Sequence, residues 1–225
     1  MQSLTVEAIV SSPENVCLVG GASLSDGAIA SIFKEVALFV GVDRGADHLL
    51  AAGIRPAAVI GDLDSLSNDA RTAFAAALCH VAEQSTTDFE KALSRVVAPA
   101  ILCLGFTGGR IDHALSVLNA MARFPDKAVI LVDDDDVSFV VALGVTTFDA
   151  PADTRVSVMP LGSATVSMDG VQWPFSEEVM TLDGFTSPSN AASGGEVTIE
   201  TNGPVLVTLP RPFLQTAVKA AARVK

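Results

Sequence analysis

The chain has 225 residues, of which 49% are hydrophobic and 18% are charged. This composition is typical of a globular protein with one large core or two modest ones, and it excludes a disordered chain. The formal net charge of −12 argues against DNA or RNA as a partner, because phosphate backbones bind basic surfaces. Its apolar runs are far shorter than the roughly 18 residues of a membrane-spanning helix, so no membrane partner is expected.

The N-terminal segment and the cysteines indicate a cytoplasmic protein. Residues 1–16 have no basic stretch before their apolar run and carry Glu7, which predicts that they are not a signal peptide. Cys17, Cys79 and Cys103 are odd in number, lie in or beside apolar stretches and form no CxxC pair. Buried free thiols in a reducing compartment explain this pattern, and no transition-metal site is expected.

Five short apolar runs, each followed by a turn signal, predict buried strands in the first part of the chain. They are VCLVGG, VALFVGVD, AAVIGDLD, AILCLGFTGG and AVILVDDDD. Between them, residues 67–78, 88–97 and 110–124 carry apolar residues at helical spacing, and Thr87 with Glu90 fits a capping box. Strands that alternate with helices predict a parallel sheet covered by helices, which binds ligands at the carboxyl ends of its strands.

From about Gly144 the apolar residues recur with period two, which indicates antiparallel strands. The segments that show it are RVSVMPL, ATVSMDG, EVTIET and PVLVTLP. Residues 213–225 predict one final helix. We therefore expect two domains, an α/β domain over residues 1–145 and a small antiparallel β-sandwich over residues 146–225.

Four aspartates follow predicted strands or open a predicted helix. Asp43 follows VALFV, Asp62 and Asp64 follow AAVI, and Asp88 opens the helix after TT. In an extended GDLDS segment the two carboxylates would point to one side, about 7 Å apart. An isolated pair of this kind is more often an acidic turn, but four acids at neighbouring strand ends favour a Mg²⁺ site.

The segment GFTGGRIDH combines a glycine-rich turn with the start of a helix. Free backbone N–H groups and the helix dipole favour phosphate there, and Arg110 adds a bidentate donor. An ordinary strand-to-helix turn explains this segment alone equally well. Together with acids for a metal, however, it suggests phosphoryl transfer from a nucleotide.

Four segments, in this order and at these separations, resemble the thiamine pyrophosphokinase family. They are GVDRGADHLLAAGIRPAAVIGDLDSLS, TTDFEKAL, GGRIDHALSVLNAM and SPSN, and the resemblance extends from about Val40 to Val207. It implies a Rossmann-like α/β domain that binds ATP and Mg²⁺, followed by a β-sandwich that binds thiamine. It also implies a homodimer with active sites at the interface, which transfers pyrophosphate from ATP to thiamine and releases AMP.

The resemblance also implies roles for individual residues. The metal ligands would be Asp43, Asp62, Asp64 and Asp88. The catalytic residues would be Asp62, Asp64, Asp88, Arg110 and Asp112. The ATP-binding residues would be Asp43, Thr87, Gly109, Arg110, Ser189 and Asn190. The thiamine-binding residues would be Trp173, Asp112 and Ser189. Trp173 is the only tryptophan, and its alternative interpretation is a residue of the sandwich core.

Three positions depart from the family's usual pattern. Arg44 stands where glycine is usual, Asp47 where asparagine is usual, and Ser85 where an acid is common, so a greater contribution of water or Asp47 to the metal shell is expected. Two other functions stay open. One is a pyrophosphokinase of another heterocyclic alcohol, such as a hydroxymethylpterin, and the other is a non-catalytic regulator that binds thiamine or a nucleotide.

Overall fold

The computed structural model describes residues 7–141 and 143–223. The chain forms two compact units, one that ends at Ala120 and one that begins at Met121. Part of the N-terminal segment for which no signal peptide is predicted lies outside the described residues, as do the last two residues of the predicted final helix. The domain boundary after residue 145 remains a prediction.

The first unit is built on a parallel sheet. Its strands are β1 (Val10–Ser11), β2 (Val16–Val19), β3 (Leu38–Val42), β4 (Ala58–Gly61), β5 (Leu78–His80), β6 (Val96–Val97) and β7 (Ile101–Leu104). Five of them lie in the order β7-β2-β3-β4-β5, and every pairing is parallel; β1 pairs with β6 separately. Strands β2, β4 and β7 are buried along their whole length, as the continuous apolar runs predict.

Three of the four helices described in this unit begin near predicted positions, and the first was not predicted from the sequence. The four are α1 (Gly45–Ala51), α2 (Asn68–Ala73), α3 (Asp88–Arg95) and α4 (Ile111–Arg123), the last of which crosses the unit boundary. Both halves of the predicted capping box at Thr87 and Glu90 are present. The helix predicted over residues 67–78 is shorter, because Phe74 leaves helical geometry and Leu78 pairs with β4 as the start of β5.

The second unit contains two antiparallel sheets and one helix. Its strands are β8 (Val129–Val132), β9 (Asp136–Val141), β10 (Gly144–Ala150), β11 (Arg155–Pro160), β12 (Ala164–Asp169), β13 (Phe175–Met180), β14 (Ser187–Ala191), β15 (Gly195–Thr201) and β16 (Val205–Pro210). One sheet includes the order β14-β11-β16-β9-β8 and the other has the order β10-β15-β12-β13. All four period-two segments are strands, and the final helix is α5 (Leu214–Arg223).

Strand β8 is a buried strand, as the run AVILVDDDD predicts. It pairs antiparallel with β9, with Val132 opposite Val137. The cause is a tight turn, in which the N–H of Asp133 donates to the carbonyl of Asp136 at 2.9 Å. Because the chain reverses at once, no crossover helix can intervene and the pairing must be antiparallel.

The cores of the units follow from these patterns. In β16, alternate residues Val205, Val207 and Leu209 are fully buried, as expected for a strand with one face in a core.

Cys17 and Cys103 are buried, Cys79 is half-buried, and all three are free. The coarse fold class, mixed α/β followed by a β-rich part, is confirmed. No helix among the described residues is long and apolar enough to cross a membrane.

Candidate active site

Three of the four predicted metal ligands come together at one edge of the parallel sheet. Strands β3 and β4 are neighbours, with Val42 opposite Ile60, so the residues that follow them lie side by side. Asp43, Asp62 and Asp64 each offer a carboxylate oxygen, and these three oxygens lie within 4.8 Å of one another. Oxygen donors at this separation can share one hard cation.

The GDLDS segment is a turn and not the extended segment that the sequence suggests. Leu63 has a φ of 64°, which is the left-handed region that non-glycine residues rarely adopt. Its side chain is buried, and its carbonyl accepts a hydrogen bond from Arg71 at 2.5 Å. The turn allows the N–H of Asp64 to donate to Oδ1 of Asp62 at 3.3 Å, so the two acids are held by a compact loop.

Asp43 has a buried carboxylate oxygen that lacks a partner. Its Oδ1 makes no hydrogen bond within the described part of the chain, and its φ of 46° is also left-handed. Burial raises the pKa of Asp43, the backbone N–H of Arg44 opposes this shift, and the charges of neighbouring acids add to it. An unpaired oxygen among like charges is costly. A cation bound here would remove that cost, so the residues fit a Mg²⁺ ion.

Asp88, the fourth predicted ligand, lies beside this group and is bonded to it. Its Oδ1 accepts the N–H of Asp62 at 3.2 Å and Nζ of Lys91 at 2.9 Å. A Cβ atom on Gly61 would lie 3.2 Å from the same oxygen and 3.1 Å from Cβ of Asp43. Glycine at this position therefore allows the acids to approach each other closely.

Lys91 is a residue of this site that the sequence did not indicate. Its ammonium group bonds to Asp88 and lies 3.5 Å from Oδ2 of Asp62, although its side chain is only 2% exposed. Burial alone would lower the pKa of Lys91, but the hydrogen bond and charge of Asp88, with the charge of Asp62, outweigh it and raise the pKa. Burial likewise tends to raise the pKa of Asp62, but the N–H of Asp64 and the charge of Lys91 lower it overall.

Arg110 and Asp112 form an exposed ion pair with each other. Arg110 Nε donates to Oδ1 of Asp112 at 3.1 Å, and Nη2 donates to Oδ2 at 2.5 Å. The pair follows a turn in which Gly108 and Gly109 have φ values of 77° and 64°. The guanidinium of Arg110 lowers the pKa of Asp112, so this carboxylate is ionised at neutral pH.

The predicted ligand residues of the second unit lie on β14 and on the loop before β13. Trp173 is 62% exposed, so it is not a core residue of this unit. Ser189 is exposed, whereas Asn190 is buried. The amide of Asn190 bonds to the backbone of Trp173 in both directions, with its Oδ1 accepting at 3.3 Å and its Nδ2 donating at 2.8 Å.

Comparisons with known proteins identify the family. Residues 29–132 match the family model described as thiamin pyrophosphokinase, catalytic domain, and residues 146–206 match the one described as thiamin pyrophosphokinase, vitamin B1 binding domain. The thiamine pyrophosphokinase of Bacillus subtilis (strain 168) is 30% identical over 172 residues, which cover 69% of this chain and 72% of that protein. The chain belongs to the thiamine pyrophosphokinase family.

Two further relatives cover more of the chain. Thiamine pyrophosphokinase 1 of Arabidopsis thaliana is 27% identical over 210 residues, which span 82% of this chain and 76% of that protein. The crystal structure of thiamin pyrophosphokinase from Geobacillus thermodenitrificans superimposes with a TM-score of 0.73 at 28% identity and covers 87% of this chain and 96% of that one. The similarity to the family therefore includes both parts of the chain.

Two of the three departures from the family's usual sequence have local structural explanations. Asp47 accepts a hydrogen bond from the hydroxyl of Ser67, so it has a role outside the three-acid group. Ser85 donates its N–H and hydroxyl to Glu83 at 2.9 and 2.7 Å. Hydrogen bonds from Thr86 and Ser85 lower the pKa of Glu83 to about 2. The ionised carboxylate of Glu83, two residues before Ser85, therefore holds the loop that contains Ser85 and Thr86.

Thr87 is exposed, but its hydroxyl belongs to the capping box. Its Oγ1 accepts the N–H of Glu90 at 3.3 Å and donates to Oε2 of Glu90 at 3.1 Å. The structure thus assigns Thr87 the task of holding the start of α3. This positions Asp88, the first residue of that helix, against Asp62.

Proposed function

We propose that this protein catalyses the transfer of the pyrophosphoryl group of ATP to the hydroxyl of thiamine, which yields thiamine diphosphate and AMP. One observation carries the proposal: a chain that matches a thiamin pyrophosphokinase catalytic domain and then a vitamin B1 binding domain also gathers three carboxylate oxygens within 4.8 Å at a sheet edge. The three free cysteines suit a reducing compartment, so the proposed location is the cytoplasm.

The acids at the sheet edge are the proposed Mg²⁺ ligands. Asp43, Asp62 and Asp64 would hold the ion, with Asp88 beside them. Bound Mg²⁺ supplies positive charge against the triphosphate of ATP. The unpaired Oδ1 of Asp43 supports this role, because it is buried among like charges and lacks a protein partner within the described residues.

The chain's own residues would then orient the phosphates. Lys91 orients Asp88 through a hydrogen bond, and its charge contributes to the lowered pKa of Asp62. Arg110 would donate to the equatorial oxygens of the transferred group, and the turn at Gly109 would present N–H groups to phosphate at the start of α4. A loose transition state requires little general-base help, so position and charge supply most of the rate.

The ion pair of Arg110 and Asp112 adds a constraint on this step. In the free protein the two charges satisfy each other. Phosphate binding by Arg110 would therefore release Asp112, which would be free to accept a hydrogen bond from the thiamine hydroxyl. Both side chains are exposed, so this exchange of partners requires no rearrangement of a core.

Thiamine would be bound by Trp173 and Ser189. An exposed indole can stack on the pyrimidine ring, and the negative charge of the aspartates suits the cationic thiazolium. The family resemblance also implies nucleotide contacts for the adjacent residues Ser189 and Asn190. Ser189 is exposed and available, whereas Asn190 is buried and bonded to the loop of Trp173.

The proposed assembly is a homodimer whose active sites lie at the interface. Four large apolar side chains in a short stretch of the second unit are exposed in the single chain, namely Trp173, Val179, Leu182 and Phe185. Exposed apolar side chains concentrated in one segment indicate burial by a partner. A symmetric dimer would bury this segment twice and form two equivalent sites.

Product identification tests the proposed reaction. The purified chain is incubated with Mg²⁺, ATP and thiamine, and the products are separated by chromatography. AMP and thiamine diphosphate are expected. ADP with thiamine monophosphate would show a simple kinase, turnover only with a hydroxymethylpterin would show a different acceptor, and binding without turnover would show a regulator.

A further inference from the structure

The loop that carries Trp173 is attached to β14 through a side chain. The N–H of Gln172 donates to the carbonyl of Ala191 at 2.8 Å, as in ordinary strand pairing. At Trp173 the pairing changes, because its N–H donates to Oδ1 of Asn190 and its carbonyl accepts from Nδ2 of Asn190. The amide of Asn190 thus takes the place of a backbone partner at the residue that bears the indole ring.

The amide of Asn190 has no hydrogen-bonding capacity left for a ligand. Its Oδ1 accepts the N–H of Ala191 at 2.9 Å as well as that of Trp173, and its Nδ2 lies 3.5 Å from Oγ of Ser187 in addition to the carbonyl of Trp173. An amide group has two donor hydrogens and two acceptor lone pairs, and all four are engaged. Two backbone N–H groups point to the same amide atom, which identifies that atom as oxygen.

Asn190 and Ser189 are adjacent on β14, but they differ in solvent exposure. Asn190 is 4% exposed, whereas Ser189 is exposed. A ligand could therefore reach the hydroxyl of Ser189 directly. It could reach the amide of Asn190 only if it displaced the backbone of Trp173, which would leave buried polar groups unpaired.

We infer that Asn190 is a positioning residue for Trp173: it fixes the backbone that carries the indole ring, and it does not itself contact thiamine or ATP. This role rests on the proposed stacking of Trp173 on thiamine. Because the indole is 62% exposed, packing restrains it only in part, and the two bonds from Asn190 hold the backbone from which it projects. A ring held in place before binding costs less entropy when the ligand arrives.

Fluorescence of the free protein tests the anchoring without any ligand. Trp173 is the only tryptophan, so all indole emission reports on this loop. In Asn190→Ala, the steady-state anisotropy should fall and acrylamide quenching should rise. Asn202→Ala is the matched control, because Oδ1 of Asn202 accepts a backbone N–H at 2.7 Å from Thr165 instead, and it should leave both signals unchanged. Unchanged signals in folded Asn190→Ala overturn the inference.

A second variant covers the possibility that Asn190→Ala does not fold. Asn190→Asp keeps an acceptor for the N–H groups of Trp173 and Ala191 but loses the donor to the carbonyl of Trp173. It should show the same changes in anisotropy and quenching, because a carboxylate oxygen would face the carbonyl oxygen of Trp173 where Nδ2 now donates. Circular dichroism establishes that each variant is folded, and a folded Asn190→Asp chain with wild-type quenching and anisotropy also overturns the inference.

A double-mutant cycle then distinguishes positioning from direct contact. By calorimetric titration of the full chain with thiamine, Asn190→Ala should raise Kd by about 2- to 10-fold, the range expected for loss of one aromatic stacking contact. In the Trp173→Ala background the same substitution should have no further effect. A further rise in Kd there would show that Asn190 contacts the ligand, and it would overturn the inference.

The outcome for Trp173→Ala alone separates this inference from the function on which it rests. If Trp173→Ala binds thiamine as the wild type does, the proposed stacking is wrong, and the role of Asn190 in thiamine binding is wrong with it. If Trp173→Ala binds thiamine more weakly but Asn190→Ala binds it as the wild type does, the proposed stacking is right and only the positioning role of Asn190 is wrong.

Discussion

Lys91 donates a hydrogen bond to Asp88 over 2.9 Å and lies 3.5 Å from Asp62, with only 2% of its side chain exposed. One buried cation thus faces two of the four predicted acids. A buried charge is tolerated when opposite charges and hydrogen bonds compensate its loss of water. The acidic site therefore contains its own counter-charge before any substrate binds.

Replacement of Lys91 tests this relationship. Lys91→Met keeps the length of the apolar stem but leaves Asp62 and Asp88 without their cation. Without Mg²⁺, the free energy of unfolding should fall by about 2–3 kcal/mol, because both carboxylates lose a charge-assisted partner. Urea unfolding measures this change. Lys91→Arg keeps the charge and should lose less stability. A Lys91→Met variant as stable as the wild type would contradict the role of Lys91 as the counter-charge of these acids.

The sequence could not have predicted the position of Lys91. A lysine one turn after Asp88 on an amphipathic helix normally extends to solvent, and only the packing of α3 shows that this one points to the acids. The same holds for Leu63, because a leucine in the sequence gives no indication of a left-handed backbone conformation. These features arise from tertiary contacts, which local patterns do not record.

The positions of the acids, by contrast, followed from simple patterns. Short apolar runs end at Val42 and Gly61, and an aspartate follows each one. Because parallel strands of one sheet end at the same edge, Asp43 and Asp62 had to be near each other once the strands were neighbours.

Asp64 provides a test of metal binding that is independent of Lys91. Asp64→Asn should reduce turnover by orders of magnitude, because a proposed Mg²⁺ ligand loses its charge. The melting temperature without Mg²⁺ should hardly change, since Asp64 is exposed and lies among like charges. Asp69→Asn, on the neighbouring helix α2, removes an equal charge from outside the three-acid group and should keep wild-type turnover. Near-normal turnover in Asp64→Asn would remove this residue from the metal site.

The raised pKa of Asp43 predicts a pH dependence of stability. An acid whose pKa is higher in the folded state binds more protons folded than unfolded, so it makes the fold less stable as pH rises. This loss begins near the ordinary value of about 3.9 and is complete above the raised folded pKa of Asp43. Without Mg²⁺, Asp43→Asn should therefore gain stability over the wild type as pH increases through this window.

Urea unfolding of both proteins between pH 4 and pH 8 measures the difference and cancels the titration of all shared groups. Added Mg²⁺ should stabilise the wild type at pH 7 and should stabilise Asp43→Asn less, because the variant offers one carboxylate fewer. If the difference between the proteins is independent of pH, Asp43 is not held in an environment that disfavours its charge.

The proposed dimer predicts that two inactive chains can restore each other. Asp64→Asn carries a lesion in the acids of the first unit, and Trp173→Ala carries one in the loop of the second unit. If each active site combines the acids of one chain with Trp173 of the other, a mixed dimer has one site with both lesions and one site with neither. Each parent alone should be nearly inactive at low thiamine.

The two variants are unfolded together in equal amounts and refolded, and turnover is compared with that of each parent refolded alone. Random pairing makes half of the dimers mixed, and each mixed dimer has one intact site, so about a quarter of all sites should be active. Differently tagged chains show by co-purification that mixed dimers have formed. If they have formed and turnover stays at the parental average, Asp64 and Trp173 serve the same site from one chain, because every site then carries one lesion however the chains pair.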